Sequence, residues 1–136
     1  MAGLSIFDIS GRAMSAQLVR LNTTASNLAN AGSVARSEAE AYKARKPIFE
    51  TYFDQANGGA TATVDVVDVV SAGGTPVKRY DPGHPMADKD GYIYEAAVDQ
   101  TQEMVELLEA SRQYQNNVEV IQTAKSLMLN TLKLGQ

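Results

Sequence analysis

The 136-residue sequence contains no cysteine, which excludes disulfides, thiolate metal sites and cysteine nucleophiles and suits a reducing or an oxidising compartment equally. It has one histidine, His84, set in "DPGHP". With no second histidine to share a zinc ion or a proton, His84 reads as a turn residue. No window reaches the roughly 18 consecutive apolar residues that a membrane-spanning helix needs, so the chain is not expected to be membrane-embedded. The N-terminal "MAGLSIFDISGRAMSAQLVR" lacks a basic leader and an uninterrupted apolar stretch, so it is not read as a general secretory signal. Basic residues form no run longer than "YKARKP", and the net charge is −4, so no nucleic-acid partner is expected.

Catalytic patterns are absent as well. The glycine pairs in "NGG" and "AGG" lack the lysine of a phosphate loop, and neither GxSxG nor GxGxxG occurs. "DKDG" at Asp88–Gly91 resembles part of a calcium loop, but its twelfth position is Asp99 rather than Glu, and Ile93 and Tyr94 fill the interior. It reads as a turn. Glu103, Glu106 and Glu109 recur at spacings of three without a cleft partner, which suggests a solvated or partner-facing helix face. No enzyme, metal or cofactor is therefore expected.

What the sequence does have is heptad periodicity at both ends. Leu4, Phe7, Gly11, Met14, Leu18, Leu21, Ala25 and Leu28 alternate at three and four, and "NAG" at residues 30–32 supplies stop signals. A second stripe runs through Met104, Leu107, Ser111, Tyr114, Val118, Ile121, Lys125, Met128 and Leu132, widened by Val105 and Leu108. Asp99 is its expected cap, and Lys133 with Gly135 closes it. Between them lie all four prolines and most of the glycines. "TATVDVVDVV" alternates as a strand near 61–70, "TPVKRY" is expected to pair with it, residues 81–91 form a turn region and "YIYEA" is a second alternation.

The pattern predicts a mainly α fold with a small β-rich insert. It divides into an N-terminal helix (1–32), a loop and β-rich insert (33–97) and a C-terminal helix (98–136). One helix enters the insert and the other leaves it, so they are expected to form an antiparallel coiled-coil hairpin carrying a β head. One register sets Phe7 near Met128, Met14 near Ile121, Leu21 near Tyr114 and Leu28 near Leu107, and a heptad shift fits nearly as well.

Charge is scarce on both helices. Between residues 13 and 35 only Arg20 is charged, and between 113 and 136 only Glu119, Lys125 and Lys133. Surfaces depleted of charge are typical of interface cores, where amides hydrogen-bond without the desolvation cost of an ion. The seam residues Phe7, Met14, Leu18, Leu21, Leu28, Leu107, Tyr114, Val118, Ile121, Met128 and Leu132 are expected to pack the helices and neighbouring subunits. Asn22, Asn27, Asn30, Arg112, Asn116 and Asn117 are expected polar contacts between subunits.

Three stretches in order resemble the bacterial flagellar basal-body rod proteins, the proximal rod members most of all. "NTTASNLANAGSVARSEAEAYKARKPIFE" is similar to their N-terminal motif, a helix ending in Ser-Asn-Leu-Ala-Asn followed by a Tyr-Lys segment. "VKRYDPGHPMADKDGYIY" is similar to their head segment, and "VDQTQEMVELLEASRQYQNNVEVIQTAKSLMLNTLKLGQ" to their C-terminal helix. The loop between Ser33 and Ala41 is longer than in many axial proteins and lacks their glycine. The resemblance implies a structural subunit of the proximal rod, assembling helically as part of the drive shaft and export channel. It also implies a place in the periplasm, reached through the flagellar export apparatus without a cleavable signal. The implied partners are further copies of itself, other rod proteins, and the basal adaptor to the membrane ring. A different class of function, a cytoplasmic coiled-coil adaptor or export chaperone, would fit the heptads equally.

Overall fold

The computed structural model describes residues 5–54 and 61–135. Leu4, the "NGG" turn and Gln136 therefore lie outside the described residues. Helix α1 spans Ile6–Asn30. At its start the Ser5 hydroxyl accepts the Asp8 N–H at 3.2 Å, and the Asp8 carboxylate accepts the Ser5 N–H at 3.0 Å. This capping box satisfies two backbone donors that an isolated helix end leaves unpaired. The Ser5 hydroxyl, then its N–H, hold the exposed Asp8 carboxyl below the usual carboxylate range. A lowered native value means that the stabilisation is present above the unfolded pKa and lost as pH falls through the folded one. Helix α2 spans Gln100–Leu134, and the Asp99 carboxylate caps it by accepting the N–H groups of Thr101 and Gln102 at 3.0 and 3.1 Å.

Five strands lie between the helices: β1 (Val34–Ala35), β2 (Arg45–Asp54), β3 (Thr61–Ser71), β4 (Val77–Tyr80) and β5 (Tyr92–Glu95). They form two antiparallel sheets, one in the order β1-β5-β4 and the other the two-stranded ribbon β2-β3. The strand expected near 61–70 is present, but its partner differs from the expectation. "VKRY" pairs with β5, Val77 opposite Glu95 and Tyr80 opposite Tyr92, whereas β3 pairs along its length with β2. Strand β2, "RKPIFETYFD", escapes a period-of-two reading because its apolar residues come in adjacent pairs, Ile48 with Phe49 and Tyr52 with Phe53; the bulge in the ribbon leaves Val67 of β3 as the extra residue. Pro47 is tolerated because each strand of a two-stranded ribbon has a free edge.

The insert is also not a single head. The ribbon lies along α1, with Arg12 of α1 paired to Asp65 of β3 at 2.7 Å and Asn27 of α1 bonded to the start of β2. Small and hydroxyl side chains on α1, Ser10, Ala16, Thr23 and Thr24, are buried and let neighbouring backbones approach closely. α1 thus packs against both the ribbon and α2.

α1 and α2 meet through pairs that run in opposite senses along the two helices, Arg20 with Glu109 and Asn27 with Glu103. The expected register would have set residue 20 opposite 115 and 27 opposite 108. The observed contacts lie about six residues nearer the start of α2, a slide of heptad scale. The expected stripe of α2 stays shielded through its middle, from Leu107 to Ile121. Glu103 and Ala110 are buried and Glu106, Leu107, Ser111, Tyr114, Asn117, Val118, Ile121 and Ala124 half-buried, whereas Met104, expected in the seam, is exposed.

The "DKDG" segment is a turn built on one carboxylate. Asp88 Oδ1 accepts the N–H groups of Asp90 and Tyr92 at 2.9 and 2.8 Å. Gly91 closes the turn at φ 80°, and a Cβ there would lie 3.0 Å from the side chains of Pro82 and Tyr80. Gly91→Ala should therefore cost roughly 1–3 kcal/mol. Gly11→Ala, in α1 with nothing within 4 Å of a new Cβ, should gain roughly 0.5–1 kcal/mol. Thermal unfolding of the two variants checks this, and shifts in the same direction would contradict it.

Candidate functional site

Asn27 sits in the last turns of α1 and is 1% exposed. Its Nδ2 donates to the Arg45 carbonyl at 2.8 Å and to Glu103 Oε2 at 3.0 Å. Its Oδ1 accepts the Arg45 N–H and the Tyr42 hydroxyl, both at 2.9 Å. One amide thereby joins α1, the Tyr42 loop, the first residue of β2 and the first turn of α2. The spacing between the residues explains why: α1 must hand the chain to β2 and receive α2 at the same end, and a fully paired side-chain amide bridges backbone and carboxylate there without a net charge.

Ion pairs extend this joint. Lys46 Nζ, on β2, reaches Glu106 of α2 at 2.6 Å, and Arg20 reaches Glu109 at 3.4 Å. The three glutamates read as a solvated or partner-facing row are therefore engaged inside the chain, Glu103 and Glu109 with α1 and Glu106 with β2. Glu103 is only 3% exposed. A spacing of three keeps these carboxylates on neighbouring faces of α2, within reach of α1 and of the start of β2, which a sequence reading of spacing alone does not separate from a solvent face.

Among the expected polar contacts, Asn27 is corrected outright, since burial and four internal hydrogen bonds leave it nothing to offer a neighbour. Asn30 and Asn117 each donate to a carbonyl of their own helix, Ser26 at 2.8 Å and Gln113 at 3.0 Å. Asn22, Arg112 and Asn116 are exposed. Of the seam residues, Phe7, Met14, Leu21, Leu28, Leu107, Tyr114, Val118 and Ile121 are half-buried, while Leu18, Met128 and Leu132 are exposed. Tyr42, Lys46 and Glu103 were not singled out as site residues. The Tyr-Lys motif was a signal for the first, and a glutamate one residue from the apolar stripe for the last.

Outside the joint, large apolar side chains face outward. Leu127, Met128, Leu129, Leu132 and Leu134 crowd the end of α2, with Leu134 88% exposed. An open groove of about 610 Å³ runs beside them, lined by Ile6, Val120, Ala124 and Leu127. Among the described residues no group of three potential metal ligands occurs, and no helix is long and apolar enough to cross a membrane. Exposed apolar patches of this kind commonly mark interaction sites.

Residues 7–34 match a family described as flagella basal body rod protein, and residues 89–134 match one described as flagellar basal body rod FlgEFG protein C-terminal. The flagellar basal-body rod protein FlgC of Escherichia coli O6:H1 is 48% identical over 136 residues, covering all of both chains. The FlgC of Salmonella typhimurium is also 48% identical over the full length of both. That of Buchnera aphidicola subsp. Baizongia pistaciae is 32% identical, again with full coverage.

The joint predicts a graded response. Asn27→Ala leaves the Arg45 N–H and Glu103 without their partner and should cost on the order of 3 kcal/mol, whereas Tyr42→Phe removes one donor and should cost about 1 kcal/mol. Urea unfolding of both variants measures the difference. Equal costs would mean that the amide is not the centre of the joint.

Proposed function

The chain belongs to the flagellar basal-body rod proteins of the FlgC type, and from that premise we propose that it enters the rod through the uncharged outer faces of its two terminal helices. It is a structural subunit of the basal-body rod and assembles with other rod components. The observation that carries this is full-length identity to rod relatives, joined to apolar side chains left exposed at the end of α2. In this reading α1 and α2 form an antiparallel coiled-coil hairpin, and copies add head to tail into an open helical assembly, part of the drive shaft and export channel. The rod lies in the periplasm, and the chain reaches it through the flagellar export apparatus without a cleavable signal. Its neighbours are further copies, other rod proteins and the basal adaptor to the membrane ring.

No catalytic role enters this reading, because the carboxylates of α2 are engaged in the fold and Asp88 is engaged in a turn. A cytoplasmic adaptor or chaperone would instead form a small closed oligomer retained inside the cell. Full-length relatedness to rod proteins favours the rod.

Leu21 and Ile121 are half-buried in the middle of their helices. An aspartate at either should cost on the order of 2–4 kcal/mol through lost apolar burial and a poorly solvated charge, a large part of a small domain's stability. Asp68 is exposed on β3. Leu21→Asp and Ile121→Asp should abolish swimming in soft agar and rods in purified basal bodies, while Asp68→Asn should swim normally. Normal rods with both helix variants would remove the helices from assembly.

A further inference from the structure

Leu127, Met128, Leu129, Leu132 and Leu134 are all exposed at the end of α2. At about 100° per residue they divide between two sides of the helix. Leu134 stands seven residues after Leu127, close to two full turns, and shares its side, whereas Met128, Leu129 and Leu132 point roughly 100–200° away. A helix that is apolar on opposite sides is completed by more than one neighbour.

The Leu127 side has a symmetry of its own. Val120 stands seven residues before Leu127, as Leu134 stands seven after it. Val120 and Leu127 line the open groove of about 610 Å³ beside Ile6, and Leu134 projects beyond it. A row that is apolar at these three places is complementary to itself when reversed. With two copies antiparallel and their Leu127 side chains opposite, each Val120 meets the partner's Leu134 about 10 Å from the centre. Thr123 then meets the partner's Thr131, four residues out on either side.

Charge fits the same alignment. Glu119 and Lys133 lie on one flank of the row, eight residues before Leu127 and six after it, so reversal sets each Glu119 beside the partner's Lys133. Both are exposed, and neither is in an ion pair among the described residues. Lys125, the other charge of this stretch, falls on the far side of the helix.

We propose that the free chain pairs with a second copy through this row, the partner's Leu134 entering the groove between Ile6 and Val120. The contact uses one patch twice and closes as a two-fold pair. Met128, Leu129 and Leu132 stay outside it, free for contacts in the rod. The pair goes beyond the rod reading, since it belongs to the chain before assembly.

The absence of native cysteine makes the test clean. Leu127→Cys places one thiol of each copy at the two-fold axis, so oxidation of the purified chain should give a disulfide-linked dimer, whereas Met128→Cys should give little. Light scattering of the unaltered chain should show a dimer that dissociates on dilution, and Leu134→Glu should leave monomers of unchanged helix content. Glu119→Lys or Lys133→Glu alone should weaken pairing about tenfold, because two-fold symmetry disturbs two ion pairs at once. Both changes in one chain should restore it. A chain that is monomeric at every concentration and gives no Leu127→Cys dimer overturns the proposal. So does linkage through Met128→Cys in place of Leu127→Cys, and so does pairing that appears only after residues 1–4 are removed, which would give the groove to the chain's own N-terminal segment. Each of these results leaves the rod reading standing, because that reading is tested by swimming and by rods in basal bodies.

Discussion

A primary amide has two donors and two acceptor sites, and at Asn27 all four are used on groups from three other parts of the chain, the Tyr42 loop, the start of β2 and the first turn of α2. A buried amide missing any one of these would carry a desolvation penalty with no return. The positions of Tyr42, Arg45 and Glu103 are therefore mutually dependent. With Glu103 fixed in the first turn of α2, the register of the two helices follows, and Arg20 meets Glu109 two turns along. With the Arg45 backbone fixed, β2 leaves the joint along α1, and β3 is bound to it strand by strand. A seam of apolar heptads alone accepts any shift by a whole heptad. The polar joint selects one.

Much of this was legible in the sequence for reasons that can be named. Long helices with explicit caps announce themselves, and Asp99 caps α2 where its position suggested. The alternation of β3 was equally plain. Strand β2 was not, because its apolar residues fall in adjacent pairs, Ile48 with Phe49 and Tyr52 with Phe53, instead of alternating. The uncharged Ser, Thr and Asn residues of α1 suggested neighbouring subunits, yet Thr23, Thr24 and Asn27 are covered by their own chain. Composition reveals that a face is dry. It does not say which surface dries it.

On α2 the same inference leads elsewhere. Among the described residues nothing covers Leu127, Met128, Leu129 and Leu132, and this end extends past the groove beside Ile6. A rod subunit needs both kinds of surface. A rigid joint holds the helices in one register, so that load passes along them, and uncovered apolar residues remain for the next subunit. In the proposed reading the internal polar network is the frame and the outer apolar faces are the connectors.

The central claim is that the Asn27 amide is locked in the native joint, and hydrogen exchange of its two side-chain Nδ2 protons, followed by NMR, tests it most directly. Slow exchange, with cross-peaks from those protons to Glu103 and Arg45, is the predicted result. Exchange at the rate of a free asparagine amide while the backbone of α1 stays protected would contradict the account.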